Sequence, residues 1–518
     1  MEAEPAATDR KLRDGPGAVL AIDLGTGGCK ASLWDCDGGL LCGSFHDYPT
    51  THPHPGWNEQ SVDDWQTAVV QCTRELMHQR PDVDVLGIAL SGHSLGIVLL
   101  DAHGEPVERT TPIWSDARAT AQAVEVFADL DQDEWYLRTG NGFTPALYPL
   151  FKARWYAKHR PQSWQTAATI VGCKDWLNLW MTGELATDHS YASGSGFYEL
   201  SSGAYADDFL AAGGVARDQL PEPRRSHDMV GALRAAAAES LGLRPGTPVF
   251  AGAVDNSAMA LGSRGVTNGR IYASLGSSSW MTVTADRPVL DTRLRPYVFA
   301  HVIPGYFVSA MSTFSSGTSI EWLHDRLGAG LTLSAFLDDG AALAADCGVP
   351  TFVPTLGGGT PLEGGSEVRG VLAGLDLAHG TAHLARAGME GIAFSLERSL
   401  TAIRALADDA EDEVLISGGG ARHHGWNQIY ADILGQPLVR TAVDQQAAAL
   451  GAAAIALVGL GIWPDFTVAE RPHVVRHTYV PSPEAAAAYA ERRHRFTVLQ
   501  QLLAATAGTF DTTSSSRP

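Results

Sequence analysis

Two aspartates and three glycine-rich turns are the parts of this sequence best suited to chemistry. Asp23 closes an apolar run, residues 19–23, and leads into Gly25, Thr26, Gly27 and Gly28. Glycine has no Cβ, so backbone N–H groups in such a turn can approach a phosphate, with the Thr26 hydroxyl beside them. Asp23 is placed to hold Mg²⁺ through water; an ordinary tight turn with a capping Asp is the competing reading. Asp255 ends a second apolar run, residues 249–254, and α/β folds put their chemistry at the carboxyl ends of strands. A carboxylate there suits removal of a proton from a substrate hydroxyl, with Asn256 bonding a neighbouring one. Helix N-capping by Asp255 or Asn256 is an equally open use.

A third apolar run, residues 271–274, meets Gly276, Ser277, Ser278 and Ser279. A fourth, residues 414–416, meets Gly418, Gly419 and Gly420. The bare backbone of that last turn would admit a flat adenine or ribose; a structural β–α turn remains the alternative. Two common nucleotide motifs are missing. Lys30 is preceded by Cys29 and followed by Ala31, which is not a P-loop, and no dinucleotide GxGxxG follows a strand.

The elements that must position these groups alternate between short β-rich runs and Ala-rich helical stretches, an α/β pattern. The first and third glycine turns sit between strand-like runs and predict hairpins. The fourth leads into a helix with apolar Trp426, Ile429, Tyr430, Ile433 and Leu434 at i, i+3, i+4, i+7 and i+8. The two hairpins align without a gap at an offset of 251: Leu24-Gly25-Thr26 meets Leu275-Gly276-Ser277, and Asp35 meets Asp286. Either this is an internal repeat of two related halves facing a shared cleft, or it is a coincidence among small residues.

Bulk properties narrow the function. A chain of 518 residues predicts two large domains or several small ones. Hydrophobic content of 45% with 18% charged residues is that of a globular protein. The net charge of −21 argues against a nucleic-acid surface. Six scattered cysteines without a CxxC predict neither disulfides nor a zinc site and fit a reducing cytoplasm. No apolar run follows a basic start, so no signal peptide is expected. The uncharged stretch at residues 447–463 is short and rich in Ala and Gly, which predicts a buried packing helix rather than a membrane span.

Over residues 18–500 the chain resembles the FGGY family of carbohydrate kinases, nearest its xylulokinase-like branch. The strings that carry the resemblance begin with Ala21-Ile22-Asp23-Leu24-Gly25-Thr26 and Pro55-Gly56-Trp57-Asn58-Glu59-Gln60 with Trp65. Ser91-Gly92-His93-Ser94-Leu95-Gly96 and Pro112-Ile113-Trp114-Ser115-Asp116-Ala117-Arg118 follow. Next come Lys174-Asp175-Trp176-Leu177, Thr187-Asp188 and Gly252-Ala253-Val254-Asp255-Asn256. Late matches are Gly359-Thr360-Pro361, Arg386-Ala387 with Glu390-Gly391, and Gly418-Gly419-Gly420-Ala421-Arg422, and the last is Ala447 to Gly451.

The resemblance implies an ATP- and Mg²⁺-dependent kinase for a hydroxyl of a small sugar or polyol. It implies two actin-like (ribonuclease H-like) α/β domains with a central interdomain cleft. The N-terminal domain, residues 17–262, would carry the sugar and the first phosphate loop, and the C-terminal domain, residues 263–505, the nucleotide. Residues 1–16 and 506–518 read as a disordered lead and tail. Asp255 would be the catalytic base and Asp23 the metal-associated carboxylate. Gly25, Thr26 and Gly27 would form the first phosphate loop, and Gly276, Ser277 and Ser278 the second. Gly418, Gly419 and Gly420 would lie at the adenosine, and His93, Ser94, Leu95 and Asn256 at the sugar. A kinase for another polyol, cyclitol or ketose, or a non-catalytic sugar or nucleotide sensor, are the other readings. The expected partner is the substrate alone, with no nucleic acid or membrane, and a homodimer is left open.

One departure bears on the substrate. Xylulokinases resemble Ser-Gly-Gln-Met-His-Gly where this chain has Ser91-Gly92-His93-Ser94-Leu95-Gly96. A Met-His pair is replaced by Ser94-Leu95. The lost imidazole removes a hydrogen bond to the sugar, which changes the hydroxyl pattern the site accepts.

Overall fold

The computed structural model describes residues 16–407 and 409–507. The lead and tail expected to be disordered lie outside the described residues, apart from residues 16, 506 and 507. Two mixed sheets dominate. The first uses β1 (Gly17–Gly25), β2 (Gly28–Asp35), β3 (Leu40–Asp47), β4 (Asp84–Gly92), β5 (Met229–Ala232) and β6 (Pro248–Phe250), in the order β5-β6-β4-β1-β2-β3. The second uses β7 (Ile271–Leu275), β8 (Ser279–Ala285), β9 (Tyr297–Ala300), β10 (Phe307–Thr313), β11 (Val414–Ser417), β12 (Leu438–Thr441) and β13 (Val475–Tyr479), in the order β9-β10-β8-β7-β11-β12-β13.

The two sheets repeat one scheme. In each, a hairpin (β1–β2, β7–β8) is extended by an antiparallel strand on one side (β3, β10) and a parallel strand on the other (β4, β11). The offset between the hairpins in sequence is therefore matched by strands paired in the same way. β1 is a continuous apolar run because both its faces are covered: Ala18 to Ile22 are fully buried.

On one face of the first sheet lies α1 (Val62–Gln79), capped by Ser61, whose Oγ accepts the Asp64 N–H at 3.3 Å. It turns Val62, Trp65, Val69, Cys72 and Leu76 toward the sheet. On the other face lie α2 (Asp255–Gly262) and α4 (Ala447–Gly459). α3 (His424–Leu434) buries the five apolar residues predicted for it. The Ala- and Gly-rich stretch expected to be a packing helix is α4, buried from Ala447 to Leu457. No described helix is long and apolar enough to cross a membrane. α4 meets α2 backbone to backbone: a Cβ on Gly451 would stand 2.0 Å from the Ala258 carbonyl oxygen, and one on Gly262 1.8 Å from that of Ala447. This contact, where no side chain fits, joins the C-terminal half to the first sheet.

Candidate active site

The β1–β2 turn is braced from behind. Tyr48 Oη donates to the Gly25 carbonyl at 2.5 Å, and Gln60 Nε2 donates to that of Thr26 at 2.7 Å. Trp65 Nε1 donates to Gln60 Oε1 at 2.9 Å, and Trp114 Nε1 to Thr26 Oγ1 at 2.8 Å. The strings around Gln60, Trp65 and Trp114, which had no assigned role, thus hold the first loop in place.

Asp255 differs from its expected setting. The apolar run before it is not one strand: β6 stops at Phe250, and a short strand, Ala253–Val254, re-forms beside β4. The break falls at Gly252, whose φ of +74° and close approach to the Leu90 carbonyl exclude a side chain. Val254 takes the N-cap position, so Asp255 is the first helical residue and not the cap. Its Oδ1 accepts the Asn256 N–H at 2.8 Å. A carboxylate in the first turn is favoured by the helix dipole, but burial, and then the charge of Asp23, push its pKa up to about 7. Asp23 is itself raised by burial, with Lys30 acting against the rise.

Asp23, Gly25, Thr26, Ser94, Leu95, Asp255 and Asn256 line one cavity of about 310 Å³. Ser94 Oγ donates to Asn256 Oδ1 at 3.2 Å, which joins two expected sugar contacts. Much of the remaining wall was not foreseen. It comprises Trp114, Phe143 and Met259 with Tyr272, Ser274, Trp280, Thr282, Phe299, Val308 and Ala310 from the second sheet. Trp280 and Thr282 alternate onto one face of β8, a period-2 signal legible in the sequence, and Ser278 in the turn before the strand joins them on the wall. Phe143 stacks on Tyr297 with centroids 3.7 Å apart.

His93, expected at the sugar, is absent from the lining. It is buried edge-on against Trp65, with ring centroids 5.3 Å apart, and neither ring nitrogen has a hydrogen-bond partner. Burial, helped by Lys152, lowers its pKa to about 4, so the ring is neutral. Leu95 does face the cavity, from a left-handed backbone with φ of +57°.

A second cavity, about 630 Å³, is lined by Gly276, Ser277, Gly419 and Gly420 together with Ser316, Gly317, Arg422, Trp426 and Tyr430. Gly418 is not among the lining residues; its φ is +96°, and a Cβ there would stand 2.5 Å from the Leu275 carbonyl oxygen. The glycine run opens a 3₁₀ turn, Gly419–Arg422, before α3 begins, so the expected direct strand-to-helix turn is lengthened by one coil. Gly27 is at the tip of the first hairpin, outside both linings. The β7–β8 turn separates the cavities: Ser278 faces the first, Gly276 and Ser277 the second. Ser316, Gly317 and Thr318 donate their N–H groups to the carbonyls of Gly276 and Ser277 at 3.0–3.1 Å and fix that turn.

No group of three or more metal-binding side chains occurs among the described residues. Asp23 offers one hard oxygen donor in a cavity that also holds Asp255, and that pair of carboxylates fits a divalent cation. An ion of the Mg²⁺ type needs only one or two protein carboxylates, since water and phosphate complete its shell.

Profiles of the FGGY family of carbohydrate kinases match the chain, its N-terminal domain over residues 18–262 and its C-terminal domain over residues 271–460. The xylulose kinase of Escherichia coli is 30% identical over 487 residues, which is 93% of this chain and 99% of that one. The xylulose kinase of Bacillus subtilis is 30% identical over 450 residues, 86% of this chain and 88% of the relative. Among solved structures, the xylulose kinase of Rhodospirillum rubrum superposes with a TM-score of 0.84 at 27% identity, covering 94% of this chain and 99% of that one.

Proposed function

Because the chain belongs to the FGGY family of carbohydrate kinases, we propose that its reaction, ATP-dependent phosphorylation of a hydroxyl of a small sugar or polyol, runs at the β7–β8 turn with Asp255 as the base. The observation that carries this reading is the shared wall. Ser278 faces a cavity holding Asp255, while its neighbours Gly276 and Ser277 face one floored by Gly419 and Gly420. A phosphoryl group bound at that turn from the second cavity is presented to an acceptor in the first.

In the proposed mechanism the acceptor lies between Asp255, Asn256 and Ser94. Asp255 takes the proton of the attacking hydroxyl, and its raised pKa suits that task near neutral pH. The N–H groups of the two glycine turns offset charge on the phosphoryl oxygens. Asp23 would hold Mg²⁺, which supplies charge neutralisation to the phosphates when bound. Aromatic Trp114, Phe143 and Trp280 wall the site and limit water, which would otherwise compete as acceptor. The free thiols of all six cysteines support a reducing cytoplasm as its compartment.

Xylulose is the first acceptor to test, because the relatives carry that name. The replacement of the xylulokinase Met-His pair by Ser94-Leu95, with Leu95 on the cavity wall, favours an acceptor less polar at that position. The deciding experiment is ADP release with ATP·Mg²⁺ over a panel of ketoses, alditols and cyclitols. Acceptor-dependent ADP release is expected with at least one of them. Nucleotide binding without turnover on any would return the protein to a sensor role.

A further inference from the structure

Two strings shared with the family, Lys174-Asp175 and Thr187-Asp188, line neither cavity. They meet in a fully buried polar cluster against residues 251–254, the segment that leads into Asp255. Lys174 Nζ lies 2.5 Å from Asp175 Oδ1 and 2.8 Å from Asp188 Oδ1. Burial alone would favour a neutral amine, but the two carboxylates more than offset it and hold the ammonium. Asp175 Oδ2 accepts the Thr187 hydroxyl at 2.9 Å and the Gly172 N–H at 3.2 Å. Asp188 Oδ2 accepts the Ser190 hydroxyl at 2.5 Å, the Ser190 N–H at 3.0 Å and the Ser226 hydroxyl at 2.9 Å.

The direction of these bonds matters. Ser190 has one hydroxyl proton, and it goes to Asp188. The oxygen is left as an acceptor, and it takes the Val254 N–H at 2.9 Å. Val254 is the residue before Asp255. The same cluster holds the strand break upstream. The Ala251 carbonyl accepts Asn178 Nδ2 at 2.9 Å and Lys174 Nζ at 3.4 Å, and the Gly252 N–H donates to the Ser226 carbonyl at 2.9 Å. Residues 251–254 are thus tied at three backbone points, Ala251 and Val254 to side chains of the cluster and Gly252 to the Ser226 backbone. An apolar core would fill this space at less desolvation cost, since buried ion pairs are poor stabilisers compared with apolar packing. It could not supply bonds of fixed direction to a peptide unit.

We propose that the Lys174–Asp188–Ser190 chain sets the position of Asp255 and that Ser190 is a positioning residue for phosphoryl transfer. This rests on Asp255 being the base. Ser190→Ala deletes the acceptor and leaves the Val254 N–H unpaired, so the first residue of α2 is free to shift. A displacement on the order of 1 Å at a reacting group costs roughly a hundredfold in rate.

The test compares Ser190→Ala, Ser190→Thr and Ser226→Ala with wild type, on the best acceptor, at a temperature where circular dichroism shows each protein folded. Ser190→Ala should lower kcat by about 10–100-fold with both KM values within about threefold. Ser190→Thr keeps the hydroxyl and should recover most of the loss. Ser226→Ala removes one bond to Asp188 and leaves the bond to Val254, so its kcat should fall only a few-fold. A folded Ser190→Ala with kcat within about twofold of wild type overturns the proposal, as does a loss that Ser190→Thr fails to repair. If Ser190→Ala does not fold, an unchanged kcat in Ser226→Ala overturns it instead. Asp255→Asn is the control: normal turnover there means the base assignment has failed, whereas an inactive Asp255→Asn beside a normal Ser190→Ala means that only the positioning role has.

Discussion

Lys152 Nζ donates to the Leu95 carbonyl at 2.9 Å and to that of Ile113 at 2.7 Å, so one buried side chain ties together the segments that bring Leu95 and Trp114 to the cavity. Leu95 is left-handed, which costs an L-residue with a Cβ roughly 1–2 kcal/mol. The two bonds help to hold that conformation. Burial lowers the Lys152 pKa to about 7.

Lys152→Met removes both bonds and leaves the buried Leu95 carbonyl unpaired, at about 1–3 kcal/mol, while the Ile113 carbonyl keeps the Asp116 N–H at 3.1 Å. The melting temperature should fall by several degrees. In the protein that remains folded, KM for the acceptor should rise about tenfold with KM for ATP unchanged. Equal changes in the two KM values would show that Lys152 supports the fold at large and not the sugar wall.

Asp255→Asn should cut kcat by about 10²–10⁴ while both ligands still bind. In wild type the base must be ionised, so kcat/KM should rise about tenfold per pH unit below about 7 and level off above it. Stability should run the other way. The folded pKa lies above the ordinary aspartate value of 3.8, so the folded state binds the extra proton, and this contribution is lost as pH rises through about 7. The melting temperature of Asp255→Asn, relative to wild type without ligands, should therefore climb from pH 5 to pH 8. A constant difference would mean that the carboxyl is not strained by its surroundings.

Gly419→Val tests the second cavity. The position has room, since the nearest atom to a Cβ there is Gln445 Nε2 at 4.0 Å. The variant should fold normally and put its side chain into the space lined by Trp426 and Tyr430. KM for ATP should rise about tenfold or more, with little change for the acceptor. Unchanged ATP kinetics would remove this turn from the nucleotide site.

Ser94→Met combined with Leu95→His restores the xylulokinase pair on the cavity wall. Histidine is among the residues that enter the left-handed region more readily, so the backbone at position 95 can stay as it is. A recovered hydrogen bond is worth about 1–3 kcal/mol where it relieves an unpaired hydroxyl, or roughly 5–150-fold in kcat/KM. D-xylulose should gain by that order relative to the best panel acceptor. If wild type already prefers D-xylulose by more than about a hundredfold, this segment does not redirect specificity.

Gly451→Ala would place a Cβ 2.0 Å from the Ala258 carbonyl oxygen, and α2 and α4 must part to admit it. Overpacking of this kind costs about 1–3 kcal/mol. Because α2 begins at Asp255, kcat should fall along with the melting temperature. A thermal scan and a turnover assay check both, and a variant with unchanged stability would mean that the helix contact is loose.

Much of this was legible in the order of residues. Apolar runs ending in Asp23 or meeting Gly276 and Gly418 announce strands that meet turns, because burial and glycine's backbone freedom are local properties. The spacing from Trp426 to Leu434 specifies a buried helical face for the same reason. The gapless alignment of the two hairpins left two halves of one plan open beside coincidence, and the matching strand pairings of the two sheets favour the repeat. What tertiary structure alone decided is which groups share a space. Ser278 and Gly276 are two residues apart yet face different cavities, because the chain reverses direction between them in the β7–β8 turn. His93 and Leu95 stand equally near the expected sugar contacts in sequence, but the chain turns left-handed at Leu95, which leaves one ring packed on Trp65 and the other side chain on the wall. Lys174, Asp188, Ser190 and Val254 are spread over eighty residues, and no local rule joins them; only the folding of the chain upon itself brings a buried ammonium, a carboxylate and a hydroxyl to the peptide that precedes Asp255.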